Sequence, residues 1–142
     1  MSRPMLVLMA FLIAGLIAAC GPREPGPTIL EVVMSGENQV PPVETEAFGT
    51  ANVTVLGNVM TVDGEWEGFD IAGPGVHIHG PAAADENAGV VFPLVFDNEA
   101  RTFGGTFSMS EEQRNWFADG LLYINAHSEA NPAGEIRGQI TP

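Results

Sequence analysis

Thr50-Ala51-Asn52-Val53-Thr54-Val55-Leu56-Gly57-Asn58-Val59-Met60-Thr61-Val62-Asp63-Gly64-Glu65-Trp66-Glu67 decides the fold. Ala51, Val53 and Val55 share one face of an extended chain. After Gly57-Asn58, Met60, Val62 and Trp66 again share a face, with Thr61, Asp63, Glu65 and Glu67 opposite. A period of two with polar alternates marks a strand buried on one side and wet on the other. A Gly-Asn pair between two such runs reads as a two-residue hairpin turn.

The same texture extends in both directions. Ile29 to Met34 reads as a first strand, and Ser35 to Glu46, with Pro41-Pro42, as a loop or irregular edge. Val76 to His79 is a short strand after Gly73-Pro74-Gly75, and Pro81 to Gly89 is a loop. Val90–Phe96 and Arg101–Phe107 pair up; Leu121–His127 and Glu135–Ile140 close the sheet across an Asn131-Pro132-Ala133-Gly134 turn. The one helical signal is Ser110 to Asp119. Ser110 is a good N-cap, Glu111 and Glu112 suit the positive helix end, Gln113 completes a capping box and Gly120 stops the helix. Seventeen glycines and eleven prolines fall between the runs, as turns require. The expected fold is all-β over residues 28–142: an antiparallel immunoglobulin-like or Greek-key sandwich or barrel, with one short helix near 110–119.

The first nineteen residues have another purpose. Arg3 is followed by an uncharged apolar run from Met5 to Ala19, shorter than the ~20 residues of a comfortable membrane span. It reads as a secretory signal. Ile17-Ala18-Ala19-Cys20 resembles a bacterial lipobox, and Cys20 is the only cysteine. Lipidation of Cys20, with 20–27 as a Gly/Pro-rich tether, predicts an exported protein anchored to the envelope membrane. Gly21 points to the outer membrane in a Gram-negative host. Beyond the signal, four arginines against eighteen acids leave a charge of −14. That argues against nucleic acid as a partner and is compatible with cations or a protein partner. With no second cysteine there is no internal disulfide, so packing alone must hold the core.

All three histidines lie in two segments, His77-Ile78-His79 and His127. Residues two apart on a strand project together, so His77 and His79 share a face ~6.5 Å apart. Leu121, Tyr123, Asn125 and His127 share one side of the Leu121–His127 strand, and Glu135, Arg137 and Gln139 one side of the last. If these strands are neighbours, three imidazoles meet. Three histidines can hold copper or zinc with an open fourth position, with Glu135, Asn125 and Arg137 in support and Glu135 orienting an imidazole. The same residues can instead satisfy one another as part of the fold, with Glu135 and Arg137 as an ordinary ion pair.

Met34-Ser35-Gly36, Val40-Pro41-Pro42-Val43, Gly49-Thr50-Ala51, His77-Ile78-His79-Gly80-Pro81-Ala82, Gly120 through His127, and Asn131-Pro132-Ala133-Gly134-Glu135-Ile136-Arg137-Gly138-Gln139-Ile140 together resemble the CHRD domain, from Met34 to Ile140. Ala126 stands where valine is more usual and Ser128 where threonine is. The resemblance implies an all-β immunoglobulin-like or barrel fold and no settled reaction. A fainter likeness to Cu/Zn superoxide dismutase rests on the His-x-His pair, and fails on the count of histidines and cysteines. The leading expectation is a lipid-anchored binding module for a copper or zinc ion. A structural or protein-interaction domain without metal is the alternative. A small metal-dependent redox enzyme has the least support, because no nucleophile–base pair and no phosphate loop is evident.

Overall fold

The computed structural model describes residues 26–142. The expected signal, Cys20 and most of the tether lie outside those residues. Eight strands and one helix follow in order: β1 Thr28–Ser35, β2 Phe48–Leu56, β3 Val59–Glu67, β4 Val76–His79, β5 Val90–Asp97, β6 Thr102–Ser108, α1 Glu111–Ala118, β7 Leu122–Ala126 and β8 Ile136–Ile140.

The β2–β3 hairpin forms as the alternation dictates. Val53 faces Val62 and Val55 faces Met60, all four buried, across the Gly57-Asn58 turn. Gly57 adopts φ +60, a conformation glycine enters without steric cost. Gly64 breaks the run of large inward residues for a packing reason: the Phe103 ring lies where a Cβ at Gly64 would stand. Phe103 then reaches Trp66, with ring centroids 6.2 Å apart. The strand ends at Glu67, where Gly68 turns the chain at φ +98.

Every strand pairs antiparallel, in the hydrogen-bonded order β1-β2-β3-β6-β5-β4-β7-β8, and the ring closes from β8 to β1 through Ser35 and Arg137. The strand pattern allowed a sandwich or a barrel; the hydrogen bonding makes a closed barrel. Closure leaves no free sheet edge. The interior is filled by Val53, Met60, Val62, Trp66, Ile78, Leu122, Ile124, Ile136 and Ile140, each at most 1% exposed. α1 has the predicted cap, with Ser110 accepting from the Gln113 amide and Gln113 answering the Ser110 amide. Phe117 and Trp116 pack on the core.

The register of β4, β7 and β8 places the histidines. Ile78, Ile124 and Gly138 form one cross-strand row, as do Val76, Ala126 and Ile136; these face the interior. The alternate rows, His77–Asn125–Arg137 and His79–Tyr123–Gln139, face outward. Yet His79, Tyr123, Asn125 and Arg137 are buried. Two segments, 36–46 and 80–89, cover them. Asn38 Nδ2 donates to the Arg137 carbonyl at 3.1 Å, Gln139 Nε2 to the Ala82 carbonyl at 2.9 Å, and Asn87 Nδ2 joins the segments at the Val40 carbonyl, 2.7 Å. The barrel wall therefore has an apolar inner face and a second, polar layer outside it.

Candidate metal centre

His77 and His79 come from one face of β4. His127 follows β7 and is held by backbone bonds to the preceding loop, its N–H to the Gly75 carbonyl at 2.9 Å and its carbonyl to Ala72 N–H at 3.0 Å. The ring centroids stand 5.4 Å (His77–His127), 5.6 Å (His77–His79) and 6.1 Å (His79–His127) apart. One ring nitrogen from each lies within 4.8 Å of the others. Zinc bonds of ~2.1 Å in tetrahedral geometry set nitrogens ~3.4 Å apart, so the rings need to draw together by about 1 Å around an ion.

The remaining bonds of two rings are fixed. His79 Nδ1 donates to the Ala88 carbonyl and His127 Nδ1 to the Pro132 carbonyl, both at 3.0 Å. A carbonyl only accepts, so each Nδ1 carries the hydrogen and each Nε2 bears a lone pair. His79 Nε2, His127 Nε2 and His77 Nδ1 are buried with no hydrogen-bond partner, and among the described residues they are the buried side-chain nitrogens and oxygens in that condition. Such a group costs ~1–3 kcal/mol and calls for a reason. Burial lowers the pKa of all three imidazoles; carbonyl contacts at Pro74, Ala88 and Pro132 offset part of that, and for His79 and His127 the neighbouring imidazoles add to it. The rings are therefore neutral at pH 7, the state that ligates metal.

Tyr123 stacks on His79 with centroids 5.0 Å apart and planes 8° from parallel. Its hydroxyl accepts from Ala88 N–H at 3.1 Å and donates to the Ala88 carbonyl at 3.3 Å. Arg137 lies 3.6 Å from the Tyr123 ring centroid. Its two terminal nitrogens donate to the Glu86 and Ala83 carbonyls, to Asn87 Oδ1 and to Gln139 Oε1. These contacts pin the 83–88 segment that presents the Ala88 carbonyl to His79.

Glu135 departs from expectation. It makes no hydrogen bond to an imidazole and no ion pair with Arg137. Its carboxylate accepts from Thr45 Oγ1, Ser128 Oγ and Asn131 Nδ2, each at 2.6 Å. Glu135 precedes β8 and turns into the 128–131 bend, while Arg137 turns toward 83–87. Burial alone raises the Glu135 pKa; the three donors outweigh it, and the net pKa is lowered. Asn125, beside His77 in the cross-strand row, gives its side-chain bonds elsewhere, to Gln39 Nε2 at 2.7 Å and the Ala133 carbonyl at 3.2 Å. Orientation falls instead to two backbone carbonyls, Ala88 and Pro132, which leave no mark in a sequence. That Tyr123 shares a side with His127 was legible; its stack on His79 was not, and neither were the parts of Gln39 and Thr45. A cleft of about 510 Å³ opens over Arg137, Gln39 and Asp85 rather than over the imidazoles.

A family model described as CHRD domain matches residues 30–140. No curated protein and no solved structure matches the chain.

Proposed function

This chain belongs to the CHRD-domain family, and on that premise we propose that it is an envelope-tethered module that binds one copper or zinc ion through His77, His79 and His127. The tether is a lipid on Cys20 after removal of residues 1–19. The reading is carried by one observation: three histidines from two distant parts of the chain bring a ring nitrogen each within 4.8 Å of one another, and each ring has a buried nitrogen without a hydrogen-bond partner. An imidazole set without carboxylate or thiolate suits copper and zinc and is poor for calcium or magnesium. The acidic surface raises the local concentration of cations.

The alternative, histidines that serve only the fold, draws on the His79–Tyr123 stack and the two carbonyl bonds. It leaves the three unpartnered nitrogens unexplained. Turnover has no support of its own, because the Ser128 hydroxyl is given to Glu135 and not to His127.

Calorimetric titration of untagged residues 21–142 with Zn(II), and with Cu(II), tests the reading. We expect about one ion per chain, abolished in His79→Ala and in His127→Ala. A folded parent that takes up neither ion leaves the structural alternative in its place.

A further inference from the structure

The Glu135 carboxylate touches no imidazole, yet two of its three partners belong to the turn that faces His127. Ser128 Oγ donates to Glu135 and accepts from the Asn131 amide at 2.8 Å. Asn131 Nδ2 donates to the same carboxylate oxygen as Ser128, and the Asn131 carbonyl accepts from Gly134 N–H at 3.0 Å. The 128–134 turn is thus tied to one buried oxygen, with Thr45 holding the other from the segment 36–46. The Pro132 carbonyl, inside that turn, is the group that meets His127 Nδ1.

We propose that Glu135 is a positioning residue: through the 128–134 turn it holds the Pro132 carbonyl against His127 Nδ1, and so keeps His127 in the Nδ1–H form with its Nε2 lone pair toward His77 and His79. The inference rests on the metal reading for its purpose, but its physical content does not. A neutral imidazole has one N–H, and a free side chain distributes it over both nitrogens. The nitrogen that faces a metal must be the bare one, so the tautomer decides whether the ring is a ligand. A carboxylate oxygen accepts two short bonds at once, and bonds to an anion are stronger than neutral ones. Glutamine keeps one such oxygen for Ser128 and Asn131, and its NH2 can donate to Thr45, whose hydroxyl also accepts.

Long-range 1H–15N imidazole spectra of metal-free residues 21–142 at neutral pH test this directly, because they read each tautomer. In the parent, His79 and His127 should both be Nδ1–H. Glu135→Ala and, independently, Asn131→Ala should give His127 a mixture of tautomers while His79 is unchanged. Glu135→Gln should retain the parental spectrum. Zinc affinity should fall about tenfold or more in the two alanine variants. Asn131→Ala decides the matter should Glu135→Ala not fold. A parent with His127 as Nε2–H overturns the proposal, as does a folded alanine variant whose His127 stays wholly Nδ1–H. A tautomer shift in a protein that takes up no zinc sustains this inference and defeats the metal reading. Zinc lost with the tautomer unmoved does the reverse.

Discussion

A buried imidazole has two nitrogens, and each needs a partner. In this chain two of the three rings meet that need on one side only, with the Ala88 and Pro132 carbonyls, and their Nε2 atoms are left without partners. The arrangement has a consequence for pH. In the unfolded chain the imidazoles take up protons near 6.5; in the folded protein burial lowers that value. Between the two values the unfolded state holds more protons, so stability rises with pH in that interval. The contribution is fully present above about pH 6.5 and is lost as pH falls through the folded values. Urea midpoints of the metal-free protein should therefore drop from about pH 7.5 to about pH 5.5, where ordinary carboxylates remain ionised. A flat profile there would show that the rings are not desolvated. Glu135 has a separate window: its lowered pKa adds stability above about 4.5 that is lost as pH falls further.

At the scale of elements, the site depends on turns as much as on strands. Gly134, between β7 and β8, sits at φ +140, and a Cβ there would meet the amide groups of Asn125 and Gln39. Those two side chains bond each other at 2.7 Å and join the 36–46 segment to the barrel wall. Gly134→Ala should therefore destabilise the fold by about 1–3 kcal/mol, from overpacking and an unfavourable backbone angle. Urea unfolding checks this, and a loss below about 0.5 kcal/mol would mean that the segment adjusts without strain. The strands and α1 were legible as elements because their cues are local: alternation in β2 and β3, and the Ser110–Gln113 box in α1. Most strand limits differ by a residue or two from the expected ones, as in β1, which runs Thr28–Ser35, and β6, which runs Thr102–Ser108.

Across the whole molecule, the barrel separates its apolar core from the three histidines by the two faces of one wall. Ile78 lies between His77 and His79 in sequence but points into the core with no exposed area. Ile78→Ala should cost about 2–5 kcal/mol of stability. At a temperature where the variant stays folded, it should still take up zinc with the parental stoichiometry. Loss of zinc uptake in a fully folded variant would show that the two faces are coupled. The amino-acid sequence by itself determined the all-β class, the hairpin, the helix with its caps and the shared face of His77 and His79, since each follows from spacing along a few consecutive residues. Only the tertiary structure decided the closure into a barrel, the approach of His127 to the β4 pair, and the partners of Glu135 and Arg137. Those contacts join residues as far apart as Ser35 and Arg137, which close the barrel. They depend on strand order and on how loops fold back over the wall, and no local pattern encodes either.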